Sequence, residues 1–282
     1  MSRLLALAVL SLVLPACAYL PEAEVELSLA EGGSVDGLWA SGSQIPVRAT
    51  VSGGFVYPTL RFEGEPVSVD RVFGTRATVD LEGTGTVDIQ AVGPGGDVLA
   101  TASIEVVEPV GHMLGAHFAW QTRPDVALPG MAFATSSCMQ VSPVGLIADG
   151  EPVAGVYADL WASSDGGVDL WAWYDDEAPY AFDLCAWDAG THTVTLEGDL
   201  NVAIPLRVVD PADIVAIELR PVEASASEGY ELLYVLGWTV DGVPVVGLEA
   251  SWGEGWTSNA HPSYDGERVR ACVNGLCASW PR

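Results

Sequence analysis

Aromatic and acidic side chains concentrate in the middle of this 282-residue chain. Trp171 and Trp173 are two residues apart, and Tyr174 follows them directly. Residues two apart on a β-strand lie on the same face, so an exposed face would present both indole rings beside nearby carboxylates, as sugar-binding surfaces do. The favoured alternative is that these rings pack in a core, since aromatic side chains supply much of a core's buried area. The sequence leaves both interpretations open.

A second candidate aromatic patch lies near the C-terminus. Trp252 and Trp256 stand in a Gly- and Ser-rich stretch, with Tyr264 a little further along the chain. The same two interpretations, ligand-binding surface or core packing, apply to them.

Carboxylates around the central aromatic cluster are weak candidates for binding Ca²⁺. Asp165, Asp169, Asp175 and Asp176 could supply the hard oxygen ligands that this ion prefers. A solvated acidic turn is the favoured interpretation of the same residues. We therefore expect no bound metal and no cofactor.

The motifs of common enzymes are missing from the sequence. It contains no Gly-x-Ser-x-Gly, no His-Glu-x-x-His and no phosphate-binding Gly-x-x-x-x-Gly-Lys run. His112 and His117 are five residues apart, which places them on opposite faces of a strand, and we expect them on the surface or in a linker. Many carboxylates are present, but no pair can be selected for hydrolysis. We expect that the protein is not an enzyme.

Four cysteines follow Cys17, an even number that permits three disulfide pairings. Locality along the chain favours Cys138–Cys185 and Cys272–Cys277. No Cys-x-x-Cys spacing is present, which argues against a zinc site.

The second pair also fits a predicted hairpin. Asn274-Gly275 favours a two-residue type I′ turn between residues 268–273 and 276–280. Cys272 and Cys277 then form a non-hydrogen-bonded pair about 4.5 Å apart, within disulfide range. The predicted register sets Val273 opposite Leu276, Ala271 opposite Ala278 and Val269 opposite Trp280.

Composition excludes several classes of protein. The chain has 11 basic residues, all Arg, against 38 acidic ones, a net charge of −27. Such a chain will not bind nucleic acid, which requires positive charge to neutralise phosphates. Its hydrophobic content of 49% also excludes general disorder. A protein partner, if there is one, should be basic.

The N-terminus predicts export. Arg3 precedes an apolar run, residues 4–14, that is too short to span a bilayer as a helix. The following Leu14-Pro15-Ala16-Cys17 resembles a bacterial lipobox.

The lipobox resemblance implies cleavage after residue 16, acylation of Cys17 and a short tether over residues 17–21. Ala18 after the cysteine favours the outer membrane of a Gram-negative bacterium. Lipid on Cys17 would then be the link to the membrane. The alternative is an ordinary secretory peptide that leaves Cys17 as a free thiol.

Short alternating runs bounded by turn residues predict an all-β protein. An internal repeat sets the module boundaries: residues 83–89 (GTGTVDI) recur at 190–196 (GTHTVTL), and 104–109 (IEVVEP) at 206–211 (LRVVDP). A third terminal hairpin lies near the C-terminus. The predicted domains are 22–108, 110–210 and a shorter 212–282, after a signal peptide at 1–16.

These features resemble bacterial immunoglobulin-like (Ig-like) repeats, with residues 241–248 (DGVPVVGL) matching a link between early strands. The resemblance implies tandem Ig-like β-sandwich domains. It also implies a non-catalytic envelope lipoprotein for adhesion, scaffolding or partner binding. The alternative is a carbohydrate-binding lipoprotein that uses the aromatic platform in the second domain and takes a polysaccharide as its partner.

Overall fold

The computed structural model describes residues 23–29, 35, 37–54, 56–65, 67–118, 124–157, 160–172, 181–222, 230–253, 257–264 and 268–281. These residues form twenty-five β-strands and one 3₁₀ turn, Pro211–Asp213, which confirms the predicted all-β class. Within this part of the chain, no helix is long and apolar enough to cross a membrane. The predicted signal peptide and Cys17 lie outside it.

The first eight strands form a two-sheet sandwich, here called module 1. Its strands are β1 (Glu24–Leu29), β2 (Gly37–Ala40), β3 (Gln44–Ser52), β4 (Thr59–Glu63), β5 (Val67–Phe73), β6 (Arg76–Leu81), β7 (Gly85–Val92) and β8 (Val98–Val107). The sheets have the orders β1-β3-β6-β5 and β2-β8-β7-β4. With β2 treated as an added edge strand, these are the A-B-E-D and G-F-C sheets of an Ig domain.

Module 2 repeats this arrangement. Its strands are β9 (Gly111–His117), β10 (Ala132–Ala134), β11 (Ser137–Leu146), β12 (Pro152–Val153), β13 (Leu160–Ser164), β14 (Val168–Ala172), β15 (Phe182–Ala186), β16 (Gly190–Gly198) and β17 (Val202–Val209). One sheet contains β9, β11, β15 and β14, with the short β12 also paired to β11; the other contains β10, β17, β16 and β13 in that order. The two sequence repeats therefore occupy the same strands, F and G, of both modules.

Module 3 is the shortest of the three modules. Its strands are β18 (Ile214–Pro221), β19 (Tyr230–Thr239), β20 (Pro244–Val246), β21 (Ala250–Ser251), β22 (Thr257–Ser258), β23 (Ala260–Tyr264), β24 (Val269–Val273) and β25 (Leu276–Trp280). One group of strands is β20-β19-β18 with β23 on β19, and the facing sheet is β22-β21-β24-β25.

The C-terminal hairpin has the predicted register, with Val273 opposite Leu276 and Cys272 opposite Cys277. Asn274 and Gly275 have φ of 48° and 84°, the positive values that a type I′ turn requires. The Cys272–Cys277 disulfide joins Cα atoms 4.1 Å apart. The inward-facing side chains of β24 are buried in the module 3 core, so the local prediction is confirmed in detail.

Modules 2 and 3 share one continuous eight-stranded sheet, which the sequence did not predict. The short strand β10 pairs in parallel with β17 of its own module and with β20 of module 3. Phe133 stands opposite Val208 on one edge and Val246 on the other. Backbone hydrogen bonding therefore runs from one module into the next; this contact is called the second joint.

The first joint, between modules 1 and 2, has the same design. Trp39 of β2 pairs with Val106 on one side and forms a parallel bridge to Ala154 on the other. The amide of Ala40 donates to the Ala154 carbonyl at 2.7 Å, and that of Gln44 to the Val156 carbonyl at 2.6 Å. Trp39 is fully buried, as is Phe133 at the second joint.

A serine closes each joint in the same way. Ser43 donates its hydroxyl hydrogen to the Ala40 carbonyl at 2.7 Å, and Ser137 donates to the Ala134 carbonyl at 2.8 Å. Both serines are buried, so these bonds fix the turn that leads from the joint strand into the next strand.

The segment that docks onto each joint carries the same sequence motif. Residues 149–155 (DGEPVAG) dock at the first joint and residues 241–247 (DGVPVVG) at the second. The last glycine lies against the joint serine: a Cβ on Gly155 would lie 3.2 Å from Ser43 Cβ, and one on Gly247 would lie 2.8 Å from Ser137 Oγ. Only a residue without a side chain fits these positions without displacing the neighbour.

Gly247→Ala should therefore destabilise the second joint. Gly247 has a φ of +75°, and Gly242 has a φ of +77° with nothing within 4 Å of a built Cβ, so Gly242→Ala is the matched control for backbone strain alone. We expect Gly247→Ala to cost about 1–3 kcal/mol more than Gly242→Ala, because it adds a steric clash. Urea unfolding of both variants measures the difference; equal costs would show that the close contact with Ser137 has no energetic role.

Candidate functional site

The exposed face of the β14–β15 pair is the candidate binding surface. Val168, Leu184 and Ala186 point inward and are buried, so the alternating residues point outward. Asp169 and Trp171 on β14 lie opposite Cys185 and Asp183 on β15. Trp171 is 50% exposed. Here, "outer face" means Asp169, Trp171, Asp183 and the residue that follows β15, Trp187.

Trp187 continues the outward alternation just past the end of β15. Its backbone amide donates to the Gly167 carbonyl at 2.8 Å, and its indole Nε1–H donates to Asp169 Oδ2 at 2.7 Å. These two bonds hold the ring in place although half of the side chain is exposed. The outer face therefore presents two indoles, one of them fixed by a carboxylate.

A disulfide supports this face from its neighbouring strand. Cys138 on β11 stands opposite Cys185 on β15, with Cα atoms 4.1 Å apart, which confirms the predicted pairing. In antibody domains the corresponding disulfide connects the two sheets through the core. Here it links the neighbouring strands β11 and β15 of one sheet. It therefore stabilises the pairing of these strands in the sheet that carries Trp171 and Trp187.

The chemistry available at the outer face is stacking combined with hydrogen-bond acceptance. Burial raises the pKa of Asp183 above its usual value, because desolvation disfavours the charged form. The carboxylate of Asp169 already accepts one bond from Trp187. Such a surface suits a ligand with an apolar face and several hydroxyl groups.

Part of the predicted aromatic and acidic cluster lies outside the described residues. Trp173, Tyr174, Asp175 and Asp176 fall there, as does Trp256 in the C-terminal patch. Their ligand-binding and metal-binding roles remain predictions.

Trp252 packs in a core and does not form part of a ligand-binding surface. It is 8% exposed and belongs to the module 3 core. Its indole donates to the Ser258 carbonyl at 2.9 Å, and its ring stacks on His261 with centroids 5.2 Å apart. It is not available as a stacking surface for a ligand.

The described acidic candidates for Ca²⁺ have structural partners. Asp165 accepts a bond from the Thr193 amide at 2.8 Å and lies 3.3 Å from His192 Nδ1, which fastens the β13–β14 turn to β16. Asp169 holds Trp187. Across the part of the chain that the structure describes, no three His, Cys, Asp or Glu side chains lie close enough to hold a metal ion.

A serine–histidine pair does exist, but it is buried. His117 Nε2 lies 2.8 Å from Ser142 Oγ, and both residues are inside module 2. Burial lowers the pKa of His117 to about 4, because the charged imidazolium is poorly solvated there. A substrate cannot reach this pair, so its role is structural, and the expected surface or linker position of His117 is wrong.

Sequence reasoning missed Trp187, which the structure assigns to the outer face. Trp187 is far from Trp171 in the sequence, and the sequence alone does not show that β14 and β15 are adjacent strands. The signal was present in the strict alternation of residues 182–187, once Phe182 is known to face inward. Trp161, 63% exposed, lies on β13 in the other sheet and is not part of this face.

Comparisons with known proteins identify no relative by sequence. No protein-family model matches, and no curated protein matches. Among solved structures, domains 5–6 of the S-layer protein SbsC match at 14% identity and a TM-score of 0.29, over 67% of this chain and 99% of that one.

Two further solved structures show a similar level of likeness. Invasin, a bacterial integrin-binding protein, matches at 13% identity and a TM-score of 0.24, over 91% of this chain and 58% of that one. Fibronectin(III)-like modules of Clostridium thermocellum CbhA match at 15% and 0.23, over 66% of this chain and 95% of that one. TM-scores this low carry no argument, and the tandem Ig-like fold rests on the strand order described above.

Protonation of His117 should destabilise module 2 in mild acid. Its folded-state pKa of about 4 lies below its ordinary value of 6.5, so this stability is fully present above pH 6.5 and is lost as the pH falls towards 4. The loss amounts to about 3 kcal/mol. His117→Gln should remove this part of the pH dependence of the unfolding free energy, measured by urea titration from pH 7 to 4. An unchanged slope would contradict the assignment.

Proposed function

We propose that this chain is a non-catalytic envelope lipoprotein that displays a connected stack of Ig-like modules for adhesion, scaffolding or partner binding. The observation that carries the proposal is the repeated joint. Both module contacts are made by backbone hydrogen bonds around a buried aromatic side chain, so a lipid on Cys17 would hold one continuous body to the membrane. Such a construction suits presentation of a binding face at a fixed distance from an anchor.

The lipobox resemblance at residues 14–17 supports the lipid anchor and, with Ala18, the outer membrane. The two disulfides support an oxidising compartment. The engagement of the described Ser, His and Asp candidates in structural contacts supports a role without catalysis. The strong negative charge favours a basic region on any protein partner.

The anchor can be tested by the intact mass of protein extracted from membranes, before and after thiol alkylation without reductant. We expect the mass of residues 17–282 plus a triacylated cysteine, with no alkylated thiol. A Cys17→Ser variant is the control and should carry no lipid. A wild-type mass without lipid would refute the lipoprotein assignment and favour a freely secreted protein.

Carbohydrate binding at the outer face is the second candidate function. The observation in its favour is the half-exposed Trp187 ring, fixed by Asp169 on the same face as Trp171. Stacking on flat indoles while carboxylates accept bonds from hydroxyl groups is how a saccharide would be held.

Tryptophan variants test this candidate. Trp171→Ala and Trp187→Ala should each abolish the fluorescence change that cell-wall or extracellular polysaccharide produces in the wild-type protein. Trp161→Ala is the matched control, since its side chain is more exposed than those of Trp171 and Trp187 but lies on the other sheet. Titration of the three variants with the same polysaccharide decides the matter: retention of the change in Trp171→Ala and Trp187→Ala would rule the outer face out.

A further inference from the structure

In every module the first strand runs antiparallel to a long strand, so the module begins beside the link that follows this long strand. Glu24 of β1 pairs with Ser52 at the end of β3, Gly111 of β9 with Leu146 at the end of β11, and Ile214 of β18 with Thr239 at the end of β19. In modules 2 and 3 the link beyond that strand docks onto the preceding module. In module 1 the equivalent link, which contains Tyr57, pairs with no strand of another module among the residues that the structure describes.

This end of module 1 exposes apolar side chains. Tyr57, in the link, is 79% exposed, and Val98, at the start of β8, is 52% exposed. Thr59 pairs with Val92, and Val92 pairs with Val98, so the link and the β7–β8 turn meet at the same end. Leu99, also exposed, extends this patch. The name "N-terminal end" is used below for residues 53, 54, 56–58 and 93–99.

The sequence of the link does not fit another module. Residues 53–58 read GGFVYP, without the Asp-Gly turn, the Pro-Val pair or the final Gly of the two docking motifs. No acidic residue occurs from Gly37 to Phe62, although the chain has 38. This link therefore lacks the features with which the other two links dock onto a neighbouring module.

We infer that the N-terminal end of module 1 rests on the surface of the lipid bilayer. The inference depends on the proposed lipid anchor: Cys17 lies seven residues before Glu24, which limits the distance to about 24 Å. β1 starts at this end, so the tether brings it towards the membrane. Tyrosine with neighbouring aliphatic side chains suits the interface, where one part of the surface is apolar and the other wet.

The charges at this end select the kind of lipid. Glu24 and Asp97 are both exposed there, and anionic headgroups would repel them. The partner surface is therefore zwitterionic, such as phosphatidylcholine or phosphatidylethanolamine.

Fluorescence quenching in vesicles tests the inference on the full acylated chain. The four disulfide cysteines and acylated Cys17 leave an introduced cysteine as the single free thiol. Gly95→Cys places a dye in the exposed β7–β8 turn, and Val215→Cys places it at an exposed position of module 3. Both proteins are reconstituted in phosphatidylcholine vesicles containing a lipid with a nitroxide on its headgroup.

The dye at position 95 should be quenched severalfold more than the dye at 215. Adding Tyr57→Ser and Val98→Ser to the Gly95→Cys protein should lower that quenching towards the level at 215. The added pair should not shift the unfolding midpoint, because both side chains are exposed. Adding Val215→Ser and Val240→Ser instead should leave the quenching at 95 unchanged.

The outcomes separate this inference from the proposed function. A chain that does not float with the vesicles would refute the lipid anchor, and this inference with it. A chain that floats but shows equal quenching at 95 and 215 would refute the inference alone. Energy transfer between dyes at position 95 of two chains, rising with protein density, would show that a second copy covers this end and would also overturn it.

Discussion

The structure depends on a short strand that is hydrogen-bonded on both edges, one edge inside its module and the other to the module that follows. Trp39 and Phe133 occupy the centre of this strand in modules 1 and 2, and both are fully buried. Because the outer edge is satisfied by the next module, the strand is not left as an open edge. The same contact also removes the freedom that a simple Pro linker would allow. Neighbouring modules are thus held together by backbone pairing and not by side-chain contacts alone.

The joints decide what each surface can do. They cover one end of modules 2 and 3, so exposed surface remains on the sides of the sandwiches, where the outer face of module 2 lies. That face is held by elements of three kinds: the alternation of β14 and β15, the Cys138–Cys185 disulfide beside it, and the bond from Trp187 to Asp169. Among the described residues no strand of another module pairs with the N-terminal end of module 1, and the neighbour that we propose for its apolar side chains is a lipid surface. The repeated joint therefore accounts for the placement of both the outer face of module 2 and the N-terminal end of module 1.

Polar groups inside the modules serve the fold. His117 and Ser142 resemble a catalytic pair in residue type and distance, but burial keeps the histidine neutral and excludes substrate. Asp165 fastens a turn, and Asp169 fixes an indole. These residue types often take part in catalysis or metal binding. Here they make the hydrogen bonds that irregular backbone and buried side chains require.

Features that depend on neighbours along the chain could be predicted from the sequence. The all-β class, the F–G repeat and the register of the last hairpin follow from alternation and from the Asn274-Gly275 turn, because a two-residue turn leaves only one pairing. Tertiary structure decided which side chains are covered. The sequence left Trp171 and Trp252 each open to a surface or a core position, yet Trp252 packs on His261 and Trp171 stays half exposed. The docking of residues 149–155 at the first joint and the buried position of His117 also depend on strands from distant parts of the chain, which the local sequence does not show.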